Sequence, residues 1–175
     1  MNKGIKLSKG KWLCFLGDDD VFMDADVLEK IVKELQTNID VVTGKIKYQF
    51  TESDSYQIKK NEGVFSPDWS RKLWIKNTIH HQATFYQRVL FVDKQFNTSY
   101  KVLADYEFNL QLYKENKTVK IVSNCIAYCN SKGVSKNYNW SLYREEIKLK
   151  TNLSSKIYWP LFFVLAFLKY FFKKS

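Results

Sequence analysis

At 175 residues, with 45% apolar and 17% aromatic side chains, the chain is long enough for one domain with a buried core and too apolar to be disordered. Six Gly and two Pro exclude a loop-rich or fibrous chain. The formal net charge of +10 calls for an anionic partner, and no nucleic-acid-binding motif accompanies it.

Residues 2–9 read as a short, basic, exposed helix. Trp12 to Leu16, bounded by Gly10 and Gly17, reads as a brief buried strand. Three consecutive aspartates, Asp18, Asp19 and Asp20, follow it. Like charges this close repel unless a cation or a proton relieves them. A solvated turn capping the next helix is one reading, and a divalent-metal site is the other. Asp24 to Thr37 carries Val27, Leu28, Ile31, Val32 and Leu35 at helical spacing, with Asp24 or Asp26 available as a cap. Val41 to Phe50 is rich in β-formers, and residues 51–63 are polar, as in an exposed loop or hairpin.

Residues 64–82 are aromatic and irregular and end in His80-His81-Gln82. Ala83 to Tyr86 reads as a short strand, and Gln87 to Val92 as a helical turn. Asp105 to Glu115 reads as a helix, with Phe108 and Leu112 one turn apart. Thr118 to Cys129 is a second strong strand. Residues 130–139 form a loop, and Trp140 to Lys150 an amphipathic helix. Ile157 to Phe172 is the most apolar stretch, interrupted by Lys169. It is shorter than the ~20 apolar residues of a spanning helix, so an interfacial helix is expected, with Trp159 in the headgroup region and Lys169, Lys173 and Lys174 at lipid phosphates. A helix covering the domain's own core is the alternative. Eight basic residues, but only Glu145 and Glu146 among the acids, lie in residues 136–175, so more than half of the excess charge accompanies this stretch. An anionic membrane surface suits that pairing.

Cys14, Cys125 and Cys129 are an odd count, and MNKGIKLSKG contains no apolar leader segment. Buried free thiols in a reducing cytosol are expected. The adjacent His80 and His81 are the only histidines, which argues against zinc.

Strand, acidic turn, helix and strand together imply an α/β layer, in which ligands bind beyond the carboxyl ends of strands. The order of NKGIKLSKGKWLCFLGDDDVF (2–22), IHHQATFYQRVLF (79–91), FNTSYKVLADYEFNLQLYKENK (96–117) and NSKGVS (130–135) resembles the family-2 glycosyltransferases of the GT-A fold, in their bacterial polysaccharide branch. The likeness spans residues 1 to about 135. It implies a partial GT-A domain over 1–135, followed by a helical, membrane-associating tail over 136–175.

Carried over by motif, the resemblance gives Mn²⁺ or Mg²⁺ to the aspartate turn. Asp18 and Asp20 frame a DxD pattern, while Asp19 and Asp20 match the paired aspartates of the family. Asp105 matches the general base, with a helix N-cap as the plainer role for the same residue. His81, Gln82 and Tyr106 match the acceptor side; for the first two the alternative is an aromatic-packed structural pair. Lys132, Gly133 and Ser135 match a diphosphate-covering loop, or form a simple surface loop. Asn2 and Gly4 match the donor side. The implied reaction is inverting transfer from a nucleotide-diphospho-sugar to a glycan or polyprenyl-linked acceptor, at the cytoplasmic face of the plasma membrane. In such enzymes a nucleotide-binding half of roughly 80 residues, more than two βαβ units of ~30 residues each, precedes the position of Met1. The rival expectation is a non-catalytic remnant that docks on a membrane or a partner.

Overall fold

The computed structural model describes residues 1–49, 63–130 and 138–174. Six described strands form one mixed sheet: β1 (Trp12–Cys14), β2 (Val21–Phe22), β3 (Val41–Gln49), β4 (Val64–Phe65), β5 (Thr84–Gln87) and β6 (Val119–Asn130). Their order is β1-β5-β3-β6-β2, with β4 beside β3. Only β3 and β6 run parallel; the other pairings are antiparallel.

The alternation of the strands explains the layers. On β5, Phe85 faces a cluster with Val42, Ile46, Val122 and Ile126, covered by α2 (Val27–Val32) through Val27 and Ile31. Tyr86, one residue on, faces the opposite cluster with Val41, Phe91, Phe96 and Phe108. That side is covered by α1 (Asn2–Leu7) through Ile5 and by α3 (Ala104–Lys114) through Phe108 and Leu112. Phe91 stacks on Phe108 at 4.7 Å between centroids, which fixes the roll of α3 on the sheet.

The β3–β6 register slips on both sides of Lys45. Gly44 sits at that slip because a Cβ there would lie 2.8 Å from the Asn124 carbonyl oxygen and 2.6 Å from Ile126 Cδ1.

The helix expected over 24–37 is shorter. Beyond α2 the chain tightens into i→i−3 bonds from the Glu34 and Leu35 amides, and Leu28 and Val32 are exposed. Val27 and Ile31 are buried and Leu35 packs partly against the same cluster, whereas Leu28 and Val32 cover nothing. The aspartate turn leads not into that helix but into β2, which pairs with β6.

Beyond the sheet, α4 (Trp140–Leu153) packs Leu149 against Leu73, Tyr106 and Leu110. Its Glu145 carboxylate accepts the amide N–H groups of Lys101, Val102 (3.0 Å) and Leu103 (3.1 Å), the donors leading into α3. Helix α5 (Trp159–Lys174) packs on α4 through Phe162 and Ala166. The segment expected as one tail from residue 136 is therefore divided, with α4 part of the body and α5 laid over it.

Candidate functional site

The aspartate turn is built from Gly17. The Asp20 amide donates to the Gly17 carbonyl at 3.4 Å, and Asp20 Oδ2 accepts the Gly17 amide at 3.1 Å. Asp20 is thereby turned back on its own loop and toward β6, where it accepts from the Cys129 thiol. Burial first, then the neighbouring carboxylate, push that thiol well above its ordinary value.

Asp18 and Asp19 lie side by side in solvent. Their mutual hydrogen bond holds the Asp18 carboxyl below the ordinary carboxylate range and Asp19 above it. Two carboxyls this close repel when both are ionised, and a divalent cation would relieve that repulsion. Among the described residues no three His, Cys, Asp or Glu side chains converge to hold a metal. With Asp20 Oδ2 engaged by the Gly17 amide, Asp18 and Asp19 are the carboxylates of the turn that could hold a cation, its other positions open.

On the other side of the sheet end, the 3-10 turn His81–Ala83 is fixed by a buried hydroxyl chain. Thr43 Oγ1 contacts Thr84 Oγ1 at 2.9 Å, and Thr84 Oγ1 donates to the His80 carbonyl at 2.7 Å. The two histidines then diverge. His80 Nε2 is 3.0 Å from the Tyr48 hydroxyl. His81 Nδ1 is 3.0 Å from Asp105 Oδ2, with both side chains only partly exposed. Cys14, on the strand that leads to the aspartates, donates its thiol to the Gln82 carbonyl at 3.8 Å. Burial pushes that thiol up to about 12, so it is a packing group and not a nucleophile.

Asp105 is the second residue of α3, not its cap; Leu103 holds the N-cap position and Glu145 satisfies the entering amides. Its carboxylate is instead engaged by an imidazole, an arrangement suited to accepting a proton from a nearby hydroxyl. Gln82 lies in the same turn, and its side-chain Oε1 is buried without a hydrogen-bond partner.

Several expected site residues stand elsewhere. Tyr106 is 1% exposed, donates to the Leu73 carbonyl and lies under the Lys150 ammonium, so it is a core residue and not part of an acceptor surface. Helical geometry explains this, because Asp105 and Tyr106 are about 100° apart around α3. Asn2 uses both ends of its amide on the Phe96 backbone, at 2.8 and 3.0 Å, which ties α1 to the core instead of presenting it to a donor. Gly4 lines a small hollow of about 150 Å³ with Ile5, Ser8, Leu13, Cys14 and Phe15, and a Cβ there would meet nothing within 4 Å. Lys132, Gly133 and Ser135 lie outside the described residues. A larger hollow of about 380 Å³, lined by Lys11, Trp12, Arg88 and their neighbours, includes none of the expected site residues.

No local pattern marks the His81–Asp105 and His80–Tyr48 contacts, which join residues 24 and 32 positions apart. The adjacency of two histidines before a strand was the one visible sign.

The family model described as Glycosyl transferase family 2 matches residues 1–107. A "PGL/p-HBAD biosynthesis glycosyltransferase" from Mycobacterium bovis is 35% identical over 116 residues, covering 65% of this chain and 42% of the relative. The protein of the same description from Mycobacterium tuberculosis matches equally. The chain thus spans less than half the length of the curated relatives it matches. Among solved structures, S. aureus TarS 1-349 superposes with a TM-score of 0.56 at 18% identity, over 99% of this chain and 50% of that one. TarS 1-349 in complex with UDP-GlcNAc gives 0.58 at 17% identity, over 87% and 45%. This likeness establishes the fold as the GT-A type expected from the motif order.

Proposed function

Because the chain belongs to glycosyl transferase family 2, we propose that it carries the metal and acceptor side of an inverting transfer from a nucleotide-diphospho-sugar to a glycan or polyprenyl-linked acceptor. The observation that carries this reading is the His81–Asp105 pair at 3.0 Å, at the same end of the sheet as the aspartate turn. The nucleotide-sugar class is supported by TarS, a protein of the same fold crystallised with UDP-GlcNAc.

In this mechanism Asp105 accepts the proton of the attacking hydroxyl while His81 holds its carboxylate in place. The acceptor oxygen forms a bond to the anomeric carbon as the bond from that carbon to the diphosphate oxygen breaks. The bonding pair departs with the diphosphate, and attack from the opposite face inverts the centre. Asp18 and Asp19 would hold Mn²⁺ or Mg²⁺, which supplies charge neutralisation for the leaving diphosphate. Asp20 keeps the turn in shape through the Gly17 amide. A lipid-linked acceptor places the reaction at the cytoplasmic face of the plasma membrane.

The test is sugar transfer measured with Asp105→Asn and His81→Gln. Loss of a positioned base lowers turnover by a factor of ~10² or more with donor affinity nearly kept. His81→Gln lowers it less. Turnover of Asp105→Asn within a few-fold of the parent sinks the assignment. Absence of transfer alongside retained vesicle binding would favour the docking reading instead.

A further inference from the structure

Helix α5 has two unlike sides. Phe162 and Ala166 are buried against Tyr143 and Ile147 of α4, and Trp74 stacks on Phe162 at 6.3 Å. Two lysines of α5 also turn toward the protein. Lys169 donates to Glu146 and to the Ile75 carbonyl, and Lys173 lies 3.8 Å from the centroid of Tyr138. The expectation that Lys169 faces lipid phosphates is therefore corrected, since Glu146 and a carbonyl already engage it.

The other side is apolar. Leu161, Val164, Phe167, Leu168 and Phe172 are 45–73% exposed. At about 100° per residue they fall within an arc of about 140° of the helix circumference, without a charged residue among them. A contiguous apolar band of this kind marks a contact surface.

We propose that this band lies in one leaflet of an anionic bilayer, with α5 parallel to the membrane plane and still packed on α4. Charge decides the occupant. Residues 147–175 contain six lysines and no Asp or Glu, and the whole chain carries +10. Two copies meeting through this face would bring like charge together, whereas anionic headgroups offset it. Length decides the orientation. Sixteen residues span about 24 Å at 1.5 Å per residue, short of a hydrocarbon core of about 30 Å. No described helix is long and apolar enough to cross a membrane. Tyr158 and Trp159, about half exposed where the helix begins, suit the headgroup boundary.

The inference deepens the membrane placement in the proposed function and rests on it only for its purpose. Vesicle binding is measured without donor or acceptor, so the two readings fail separately. The whole chain is co-sedimented with vesicles of equal parts phosphatidylglycerol and phosphatidylcholine, and with phosphatidylcholine alone. Binding is expected to the anionic vesicles, much less to the neutral ones, with partial release in 1 M salt, where the Debye length falls to about 3 Å. Val164→Glu/Leu168→Glu is expected to weaken binding about tenfold or more, with an unchanged melting curve. A neutral pair, Leu161→Gln/Phe167→Gln, repeats the test should the first variant unfold. Equal binding of variants and parent overturns the proposal. A dimer in light scattering that these substitutions dissolve overturns it in favour of a second copy. Retention on the membrane after alkaline carbonate extraction overturns it in favour of a spanning helix.

Discussion

Replacing Lys150 by methionine is expected to leave the protein as stable as the parent or more stable near neutral pH, while Glu146→Gln is expected to cost about 3–5 kcal/mol. The Lys150 residue is 2% exposed. Its ammonium donates to the Glu146 carboxylate and to the Ile75 carbonyl at 2.9 Å, and lies 5.8 and 5.9 Å from the ring centroids of Tyr106 and Phe162. Burial brings Lys150 from the ordinary 10.5 down to about 8, against the attraction of Glu146 and with the help of the neighbouring Lys169. At 1.36 kcal/mol per pH unit, that interval corresponds to about 3 kcal/mol of unfavourable charge burial near pH 7. Methionine removes this cost and keeps most of the packing. Glu146 still has Lys169, and so does the Ile75 carbonyl. Glu146→Gln instead leaves two ammonium groups around one carbonyl oxygen with no compensating charge.

The pH dependence carries the sign. Below pH 8 Lys150 is protonated both folded and unfolded, so the cost is fully present. Between 8 and 10.5 the unfolded chain binds more protons than the folded one, and this residue's contribution to stability rises with pH. Cys14 acts oppositely: burial raises its thiol from 9.0 to about 12, so its contribution falls above pH 9. The informative quantity is therefore the parent-minus-variant difference in urea unfolding followed by circular dichroism. That difference should shift by about 3 kcal/mol toward the parent between pH 8 and 10.5. If Lys150→Met costs ~3 kcal/mol at pH 7 while Glu146→Gln is nearly neutral, desolvation does not govern the cluster, and the reasoning from burial fails.

Two glycines give further tests. Gly44→Ala sets a methyl group 2.8 Å from the Asn124 carbonyl oxygen, a backbone atom, so thermal unfolding should show a loss of about 1–3 kcal/mol or more; an unchanged melt would show that the bulge can open. Gly17→Ala sets its methyl group 2.8 Å from Asp20 Oδ2, a side-chain atom that can swing away. The fold should survive, but Mn²⁺ measured by calorimetry should bind about tenfold more weakly, as when a residue supporting metal ligands is displaced. Unaltered Mn²⁺ binding would mean that Asp20 does not shape the turn for Asp18 and Asp19.

The sequence shows most clearly what local pattern encodes. The β-branched run of β3 and the Phe108/Leu112 spacing of α3 place both elements within a residue or two of where they fold. β2 is only two residues long and owes its existence to pairing with β6, so no window of sequence reveals it. The helix over 24–37 has a helical pattern of apolar residues, yet Leu28 and Val32 meet no partner surface, and propensity alone does not extend it. The site divides in the same way. Motif order marks Asp105 and the aspartate turn, and Asp105 proves to be joined to His81 across 24 residues. Tyr106 and Asn2 share those motifs but are turned into the core by helix phase and by the Phe96 backbone. Lys150 is visible as the i+4 partner of Glu146, a spacing that usually means a solvated pair; here α5 covers it.

Three consecutive residues link that cover to the candidate base. The Leu73 carbonyl accepts from Tyr106, the neighbour of Asp105 on α3. Trp74 stacks on Phe162 of α5. The Ile75 carbonyl accepts from Lys150 of α4 and Lys169 of α5. Lifting α5 would strip Ile75 of one donor, expose Trp74 and leave Glu146 with Lys150 as its ion-pair partner, so the helix and the strip beneath it are stabilised together. A contact made by the outer face of α5 leaves all of these bonds in place. A bilayer held there, as proposed, would meet a surface tied through residues 73–75 to α3, the helix that carries Asp105.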